Sequence, residues 1–261
     1  MSFIPLTGGG GYLGWKLLTR TMGAQKAILE NSAEVGRKKT KLREGLGKVT
    51  TAEQLVSDRS VLAPALTAYG LEGDIRNRFL IQKILSEGVS DPRGLASRMA
   101  DKRYARMATD FRFDSPAPAT SDPAFGKKLF RAYLDREFER RVGETDQNLR
   151  LALNAQRELK NLAGRESNEN TKWYEVLGTA PLRKVFEGAF GLGTSFGKLP
   201  IDRQLSEMRS RADKMFGSSK MEVFSQPEAT EKLIRTFLVR SSMTQAATQN
   251  PYSTALALLS R

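Results

Sequence analysis

Apolar residues in this chain recur at spacings of three and four, the period of an α-helix, and no segment alternates convincingly as a half-buried strand does. The stretch from Phe125 to Val142 shows the pattern most completely. Charged residues lie between its apolar positions. The pattern predicts an all-α protein, a multi-helix bundle, over the 261 residues.

Residues that start and stop helices divide this pattern into segments. Thr50 followed by Glu53 is typical of a capping box at a helix start, and Gly70 is typical of the position just past a helix end. Pro64 lies inside a helical pattern and is expected to kink or split that helix. Residues 114–122, which are rich in proline and small residues, predict a linker without regular structure.

One stretch of sequence recurs at an offset of 121 residues. Ala-Tyr-Gly-Leu at 68–71 matches Ala-Phe-Gly-Leu at 189–192, and a charged helix and a Ser-x-Pro helix start follow each copy. The repetition favours two related helical subdomains joined by long helices. The alternative is coincidence, because apolar helix ends followed by glycine are common. We predict six regions: a basic N-terminal helical arm (1–50), a first helical subdomain (51–113), a Pro-rich linker (114–122), long connecting helices (123–172), a second helical subdomain (173–240) and a C-terminal tail (241–261).

The N-terminal arm has a pattern of its own. Residues 13–47 predict one long helix in which Ile28, Val35 and Leu42 recur every seven positions, while much of the remaining seam is polar. Half a coiled-coil seam gains little by packing on its own core. We therefore expect a weakly anchored arm whose apolar stripe is completed by a second copy or by another protein. Deletion of residues 1–48 should then leave the remainder folded.

The net charge of +13 is concentrated in the same arm, where residues 1–50 hold nine Lys or Arg against three Glu. The functional interpretation is a surface for an acidic protein, nucleic acid or an anionic lipid, and the alternative is a solvated basic helix. The candidate partner-binding or anion-binding residues are Trp15, Ile28, Val35, Arg37, Lys38, Lys39, Lys41, Leu42 and Arg43.

The chain contains no histidine and no cysteine, which removes the commonest residues of acid–base, thiolate and zinc chemistry. Gly9-x-Gly11-x-x-Gly14 spells a dinucleotide fingerprint, but no strand precedes it, and Trp15 stands where a phosphate-binding loop needs lysine. In the segment DREFERR at 135–141, acidic residues alternate with arginines, which indicates a salt-bridge lattice on a solvated helix face. We expect no catalytic, cofactor-binding or metal-binding residues, and therefore no enzyme.

Several segments together resemble a known family. They are Gly14-Trp15, residues 51–111, the sequences YLDREFERRVGE and LRLAL, and residues 173–205, which begin WYEVLGTAPLRK. This combination resembles the bacterial domain-of-unknown-function family 1217. The resemblance implies a helical protein without an assigned activity, from a family whose genes tend to lie among flagellar genes. It implies no active-site residues.

The resemblance and the half-seam favour a non-enzymatic helical protein with a structural or protein-interaction role in bacterial flagellar assembly. Its partners would be flagellar components or a second copy bound through the N-terminal helix. The alternative is a basic module that binds nucleic acid or an anionic membrane surface through the cluster from Arg37 to Arg43. No apolar run is long enough to span a bilayer, and no cleaved signal is evident. We expect a cytoplasmic protein, or one exported to the flagellum without a cleaved signal.

Overall fold

The computed structural model describes residues 3–99 and 101–249. Within that part the backbone forms thirteen α-helices and no strand, so the all-α prediction is confirmed. The first seven helices are α1 (Gly11–Glu30), α2 (Ala33–Leu46), α3 (Ala52–Ser57), α4 (Arg59–Tyr69), α5 (Arg78–Glu87), α6 (Leu95–Arg98) and α7 (Lys102–Phe111). The remaining six are α8 (Pro123–Thr145), α9 (Gln147–Ala163), α10 (Glu169–Gly178), α11 (Ala180–Phe190), α12 (Ile201–Phe216) and α13 (Pro227–Gln249).

Four short 3-10 turns complete the regular structure of the described residues; they are Glu72–Asp74, Ala119–Ser121, Phe196–Lys198 and Met221–Ser225. Among the described helices, none combines the length and the apolar character that a bilayer crossing requires.

The chain divides into two compact units. Among the described residues, unit 1 contains 3–4 and 22–140, and unit 2 contains 5–21 and 141–249. Helices α1 and α8 therefore each contribute residues to both units. These boundaries differ from the predicted ones because contacts between distant segments, and not proline content, decide which residues form a compact unit.

The predicted arm and linker are not separate parts of the chain. Residues 5–21 of the arm belong to unit 2, and its remainder belongs to unit 1. The linker 114–122 lies inside unit 1 and includes the 3-10 turn Ala119–Ser121. Of the predicted tail, residues 250–261 lie outside the described part of the chain.

The single long helix predicted over 13–47 is in fact two helices. The break comes at Ser32, which adopts an extended backbone and accepts a hydrogen bond from the backbone N–H of Val35 at 3.4 Å. A serine in this conformation is a favourable N-cap, so the sequence starts a new helix here. The break also interrupts the seven-residue repeat: the side chain of Ile28 is 61% exposed, while Val35 is buried.

Helix α2 packs on α4 within unit 1, and its apolar stripe is covered there. The side chains of Val35, Leu42 and Leu46 are buried. Gly45 permits the close approach of the two helices, because a Cβ at this position would lie 2.4 Å from Cγ2 of Val61. The expectation of a weakly anchored arm is therefore wrong. The half-seam is completed by the chain itself.

Two helices of unit 1 begin or continue differently from the prediction. The N-cap of α3 is Thr51, one residue later than predicted, and its hydroxyl accepts a hydrogen bond from the backbone N–H of Gln54. Asp58 then ends α3 and caps α4. Helix α4 continues through Pro64 without being split.

The core of unit 2 is built around aromatic side chains. Phe186 makes edge-to-face contacts with Trp173, Phe190 and Phe224, with ring centroids 5.4 to 5.7 Å apart. Edge-to-face geometry is the favoured arrangement of such rings, and all four side chains are buried. Helices α9, α11 and α13 pack against one another around this cluster.

Several helix contacts of unit 1 have a counterpart in unit 2. In unit 1, α2 packs on α4, α3 packs on α5, and α4 packs on α7. In unit 2, α9 packs on α11, α10 packs on α12, and α11 packs on α13. This correspondence is what a duplicated helical subdomain predicts, and it extends beyond the two stretches matched in the sequence.

Candidate functional site

Trp15, the first of the predicted partner-binding residues, lies in the core of unit 2. Its side chain is fully buried, and its indole Nε1–H donates a hydrogen bond to a carboxylate oxygen of Glu231 on α13 at 2.9 Å. The hydroxyl of Tyr12 donates to the other oxygen of Glu231 at 2.8 Å, and the ammonium of Lys16 lies 3.3 Å from it. Three donors on α1 thus converge on one carboxylate.

The hydrogen bonds at Glu231 change its acidity. Partial burial raises the pKa of the Glu231 carboxyl, but hydrogen bonds from Trp15, Tyr12 and Lys16 favour the ionised form more strongly, so the pKa lies below its ordinary value. The negative charge of Glu231 in turn raises the pKa of Tyr12, chiefly through their hydrogen bond. Trp15 therefore holds the N-terminal segment on α13 and is not presented to a partner.

Most of the apolar residues predicted as a partner surface on α1 and α2 are buried as well. Val35 and Leu42 are buried in unit 1, and Ile28 alone of the three is exposed. Burial inside the chain corrects the proposal that these side chains form a seam with a second copy. Ile28 and the basic residues of α2 remain as the parts of the predicted site that face solvent.

Those basic residues spread around α2 because successive positions on a helix differ by about 100°. Lys38 forms an ion pair with Glu34 at 2.9 Å, and Lys39 forms one with Glu30 at 2.6 Å. The predicted cations Arg37, Lys41 and Arg43 are exposed. The sequence cluster is thus several groups of cations with different neighbours.

Lys39 and Arg43 line a pocket between α2, the start of α8 and the turn before α8. The pocket has a volume of about 610 Å³, within the usual range for ligand pockets. Every residue that lines it belongs to unit 1. Its lining residues are Glu30, Lys39, Leu42, Arg43, Leu46, Gly47, Thr120, Ser121, Asp122, Pro123, Gly126, Lys127, Phe130, Arg131 and Leu134. We call it the basic pocket.

Four cations surround the basic pocket, two from each helix. Lys39 and Arg43 are four residues apart on α2, and Lys127 and Arg131 are four residues apart on α8, so each pair lies on one helix face. Lys39 is held by Glu30, and its ammonium lies 5.4 Å from the ring centroid of Phe130. Among the described residues, the other three cations have no ion-pair partner.

The two carboxylates of the basic pocket are already engaged. Glu30 pairs with Lys39, and a carboxylate oxygen of Asp122 accepts the backbone N–H of Ala124 at 2.8 Å, which caps the start of α8. The floor of the pocket is apolar and consists of four buried side chains: Leu42, Leu46, Phe130 and Leu134. An apolar floor with a cationic rim can hold an apolar group that carries negative charge beside it.

Half of this site lies outside the residues that the sequence predicts. Lys127 and Arg131 belong to the predicted connecting helices and not to the basic cluster. Their spacing of four residues in Gly126-Lys127-Lys128-Leu129-Phe130-Arg131 was a weak signal of a basic helix face. Nothing local indicated that this face meets α2, because the two segments are far apart in sequence.

The segment 135–141 also differs from its prediction as a solvated lattice. The guanidinium of Arg140 does pair with Glu137 at 2.8 Å, but the side chains of Glu137, Glu139 and Arg141 are buried. Helix α8 carries apolar residues on more than one side, so packing takes part of its charged face out of water. Among the described residues, no cluster of three or more acidic side chains is arranged to hold a metal ion.

Comparison with solved structures identifies a similar fold. The crystal structure of protein AGR_C_984 from Agrobacterium tumefaciens, a structural genomics target, matches with a TM-score of 0.75 and 23% sequence identity. The match covers 96% of this chain and 98% of that one. At this identity it shows a shared fold and nothing about activity.

A search of curated proteins finds no match to this chain. Residues 68–255, which are most of the sequence, match the family described as "Protein of unknown function (DUF1217)". The extent of this match, together with the helical fold, shows that the chain belongs to the domain-of-unknown-function family 1217.

Proposed function

We propose that this protein is a non-enzymatic interaction protein of bacterial flagellar assembly that binds an acidic partner protein through the basic pocket. The observation that carries the proposal is the pocket itself, where Arg43, Lys127 and Arg131 surround an apolar floor without a carboxylate partner in the described part of the chain. The flagellar part rests on the gene neighbourhood that the family resemblance implies. The protein would act in the cytoplasm, or at the flagellum after export without a cleaved signal.

The chemistry of the basic pocket supports binding over catalysis. Acid–base catalysis needs a carboxylate or other titratable group that is free to exchange a proton with a substrate. Glu30 is held in an ion pair and Asp122 caps a helix, so both are committed to structure. The remaining charged side chains are cations that attract anions.

A different class of partner is nucleic acid or an anionic membrane surface, which the net charge of +13 would also attract. Single-stranded nucleic acid is usually held by bases stacked on exposed aromatic rings. Phe130 in the pocket is buried, and the ammonium of Lys39 lies over its ring, so this ring offers no stacking surface. A protein partner is therefore favoured.

The test is a pull-down from native cells with the full chain as bait. The double substitution Arg43→Glu with Arg131→Glu reverses two cations of the pocket. The matched control, Arg37→Glu with Lys41→Glu, makes the same change in net charge on α2 outside the pocket. We expect the parent and the control to retain flagellar export, rod or hook components and the pocket variant to lose them.

Two results would contradict the proposal. One is the absence of flagellar components from the parent pull-down. The other is steep, salt-sensitive retention of the parent on DNA or on anionic liposomes that matches or exceeds its binding to protein, which would favour the alternative class.

A further inference from the structure

We propose that the ligand of the basic pocket is a short peptide segment in which one large apolar side chain is flanked by Asp or Glu residues. The inference rests on the proposed function and deepens it, because it specifies what the partner must present. The apolar side chain enters the pocket, and the flanking carboxylates meet the cations at its rim.

The floor of the pocket requires the apolar anchor. Leu42, Leu46 and Leu134 offer no hydrogen-bond donor, and Phe130 already has a cation over its ring. Burial of an apolar side chain against such a surface is the main source of affinity in a small interface. A simple inorganic anion would leave this apolar surface exposed to water.

The cations at the rim of the pocket favour a ligand that carries carboxylates. Arg43, Lys127 and Arg131 are exposed, and exposed ion pairs contribute little affinity each, so the cations act mainly by selecting acidic segments and by speeding encounter. Arg43 lies on α2, and Lys127 and Arg131 lie on α8, so positive charge stands on both sides of the floor. A ligand with carboxylates on both sides of its anchor matches that arrangement.

Gly126 keeps the pocket open. It lies on α8 in the pocket wall, and a Cβ at this position would lie 3.4 Å from Cδ2 of Leu46, in ordinary contact. Glycine disfavours a helix relative to alanine, yet an alanine would fit here. The missing side chain leaves room for a ligand, and a large side chain at residue 126 should fill that room.

A membrane surface fits less well. Proteins that insert into a bilayer surface present protruding apolar side chains, whereas the apolar residues of this pocket are buried beneath a charged rim. A peptide side chain can enter the pocket and contact its floor, whereas a flat lipid surface cannot.

The test measures binding of fluorescent synthetic peptides to the full chain by anisotropy. The probe carries one phenylalanine flanked on both sides by glutamates, and two control peptides carry serine for the phenylalanine or glutamines for the glutamates. We expect the probe to bind and each control to bind at least about tenfold more weakly. Equal binding of the serine peptide, or displacement of the probe by inorganic phosphate alone, would show a simple anion site and overturn the inference.

Variants locate the binding. Gly126→Leu should abolish probe binding while the helical content and thermal transition are retained, and Gly126→Ala, which adds only a fitting Cβ, should weaken it slightly. Arg43→Glu with Arg131→Glu should weaken binding at least about tenfold, whereas Arg37→Glu with Lys41→Glu should change it less than about twofold. Unchanged binding to a folded Gly126→Leu protein would overturn the pocket assignment.

The two proposals fail in different ways. If flagellar components are retained in the pull-down but the peptide does not bind, the interaction uses another surface and the ligand inference is wrong. If the peptide binds in the pocket but no flagellar component is retained, the ligand class stands and the flagellar role is wrong.

Discussion

The two units share a helical framework but use their charged side chains differently. In unit 2, the start of α1 is held by the carboxylate of Glu231, which accepts hydrogen bonds from Tyr12, Trp15 and Lys16. In unit 1, the cations Lys127 and Arg131 at the start of α8 have no ion-pair partner among the described residues. The same framework thus engages the donors at the start of α1 with a carboxylate, and it leaves two cations at the start of α8 without an ion-pair partner in the described part of the chain.

The framework itself corresponds closely. Asp58 in unit 1 and Thr179 in unit 2, 121 residues apart, each form the single-residue junction between a short helix and the helix that follows. Gly70 and Gly191, at the same offset, end the second helix of each pair in the left-handed conformation. The next backbone N–H, that of Leu71 or Leu192, reaches back to the same relative carbonyl in each unit. Identical helix ends at a constant offset support a duplication.

A carboxylate on α7 in unit 1 and a carboxylate on α13 in unit 2 each bind the start of a long helix. Asp110 on α7 accepts hydrogen bonds from the hydroxyl of Tyr69 at 2.7 Å and from Lys128 on α8 at 2.8 Å. Glu231 on α13 plays the corresponding part for α1. In both units a carboxylate thus fixes the first turns of a long helix.

The largest effect should come from deletion of residues 1–48. These residues supply Trp15 and Leu18 to the core of unit 2 and Leu29, Val35 and Leu42 to the core of unit 1. Their removal would leave cavities and exposed apolar surface in both units. We expect loss of the cooperative thermal transition measured by circular dichroism. A transition close to the parent's would restore the view of the segment as an independent arm.

Truncation of Trp15 should cost as much as truncation of an undisputed core residue of the same unit. Trp15→Ala and Trp173→Ala should each lower the free energy of unfolding by about 3–5 kcal/mol, because both side chains are fully buried and hydrogen-bonded. Chemical denaturation measures the difference. Phe79→Ala is the control, since Phe79 is 78% exposed and its loss should change stability by less than about 0.5 kcal/mol.

The two anchoring carboxylates, Glu231 and Asp110, should contribute different amounts to the free energy of unfolding. Glu231→Ala removes the acceptor of the buried indole N–H of Trp15 and should cost about 1–3 kcal/mol, more than Asp110→Ala, which removes the acceptor of two donors and not three. Equal losses would show that the extra donor adds nothing.

The cost of Glu231→Ala should also depend on pH. Because the folded-state pKa of Glu231 is lowered, its contribution is complete above the ordinary glutamate pKa of 4.5 and disappears as the pH falls through the lowered value. Urea unfolding of parent and variant should therefore give a constant difference from neutral pH down to about 4.5 and a shrinking one below it. A difference that grows on acidification would contradict the assignment.

The smallest effects should come from the two helix-ending glycines. Gly70→Ala and Gly191→Ala each force a side chain into the left-handed conformation, at φ of 73° and 67°, and should cost about 1–2 kcal/mol. The two costs should be similar, because the atoms that an added Cβ would approach, in the guanidinium groups of Arg136 and Arg240, are the far ends of flexible side chains. Thermal denaturation of both variants measures the two costs, and a much larger loss for Gly191→Ala would show that Arg240 is held in place.

The fold class and many helix ends can be predicted from local sequence. Gly70 and Gly191 were recognisable as helix ends because glycine accepts the left-handed conformation at low cost, which is a property of the residue and its immediate neighbours. Such features depend on interactions within a few residues.

The surroundings of the N-terminal segment and of the basic residues depend on contacts between distant parts of the chain. Trp15 on α1 is hydrogen-bonded to Glu231 on α13, and the basic pocket forms where α8 meets α2 beside Arg43. Each is a contact between segments far apart in the chain, whose formation depends on the shape and charge of both surfaces together. Local sequence gives the charge of Arg43 or Lys127, but whether that charge is neutralised, buried or left for a ligand is decided by which distant neighbour packs beside it.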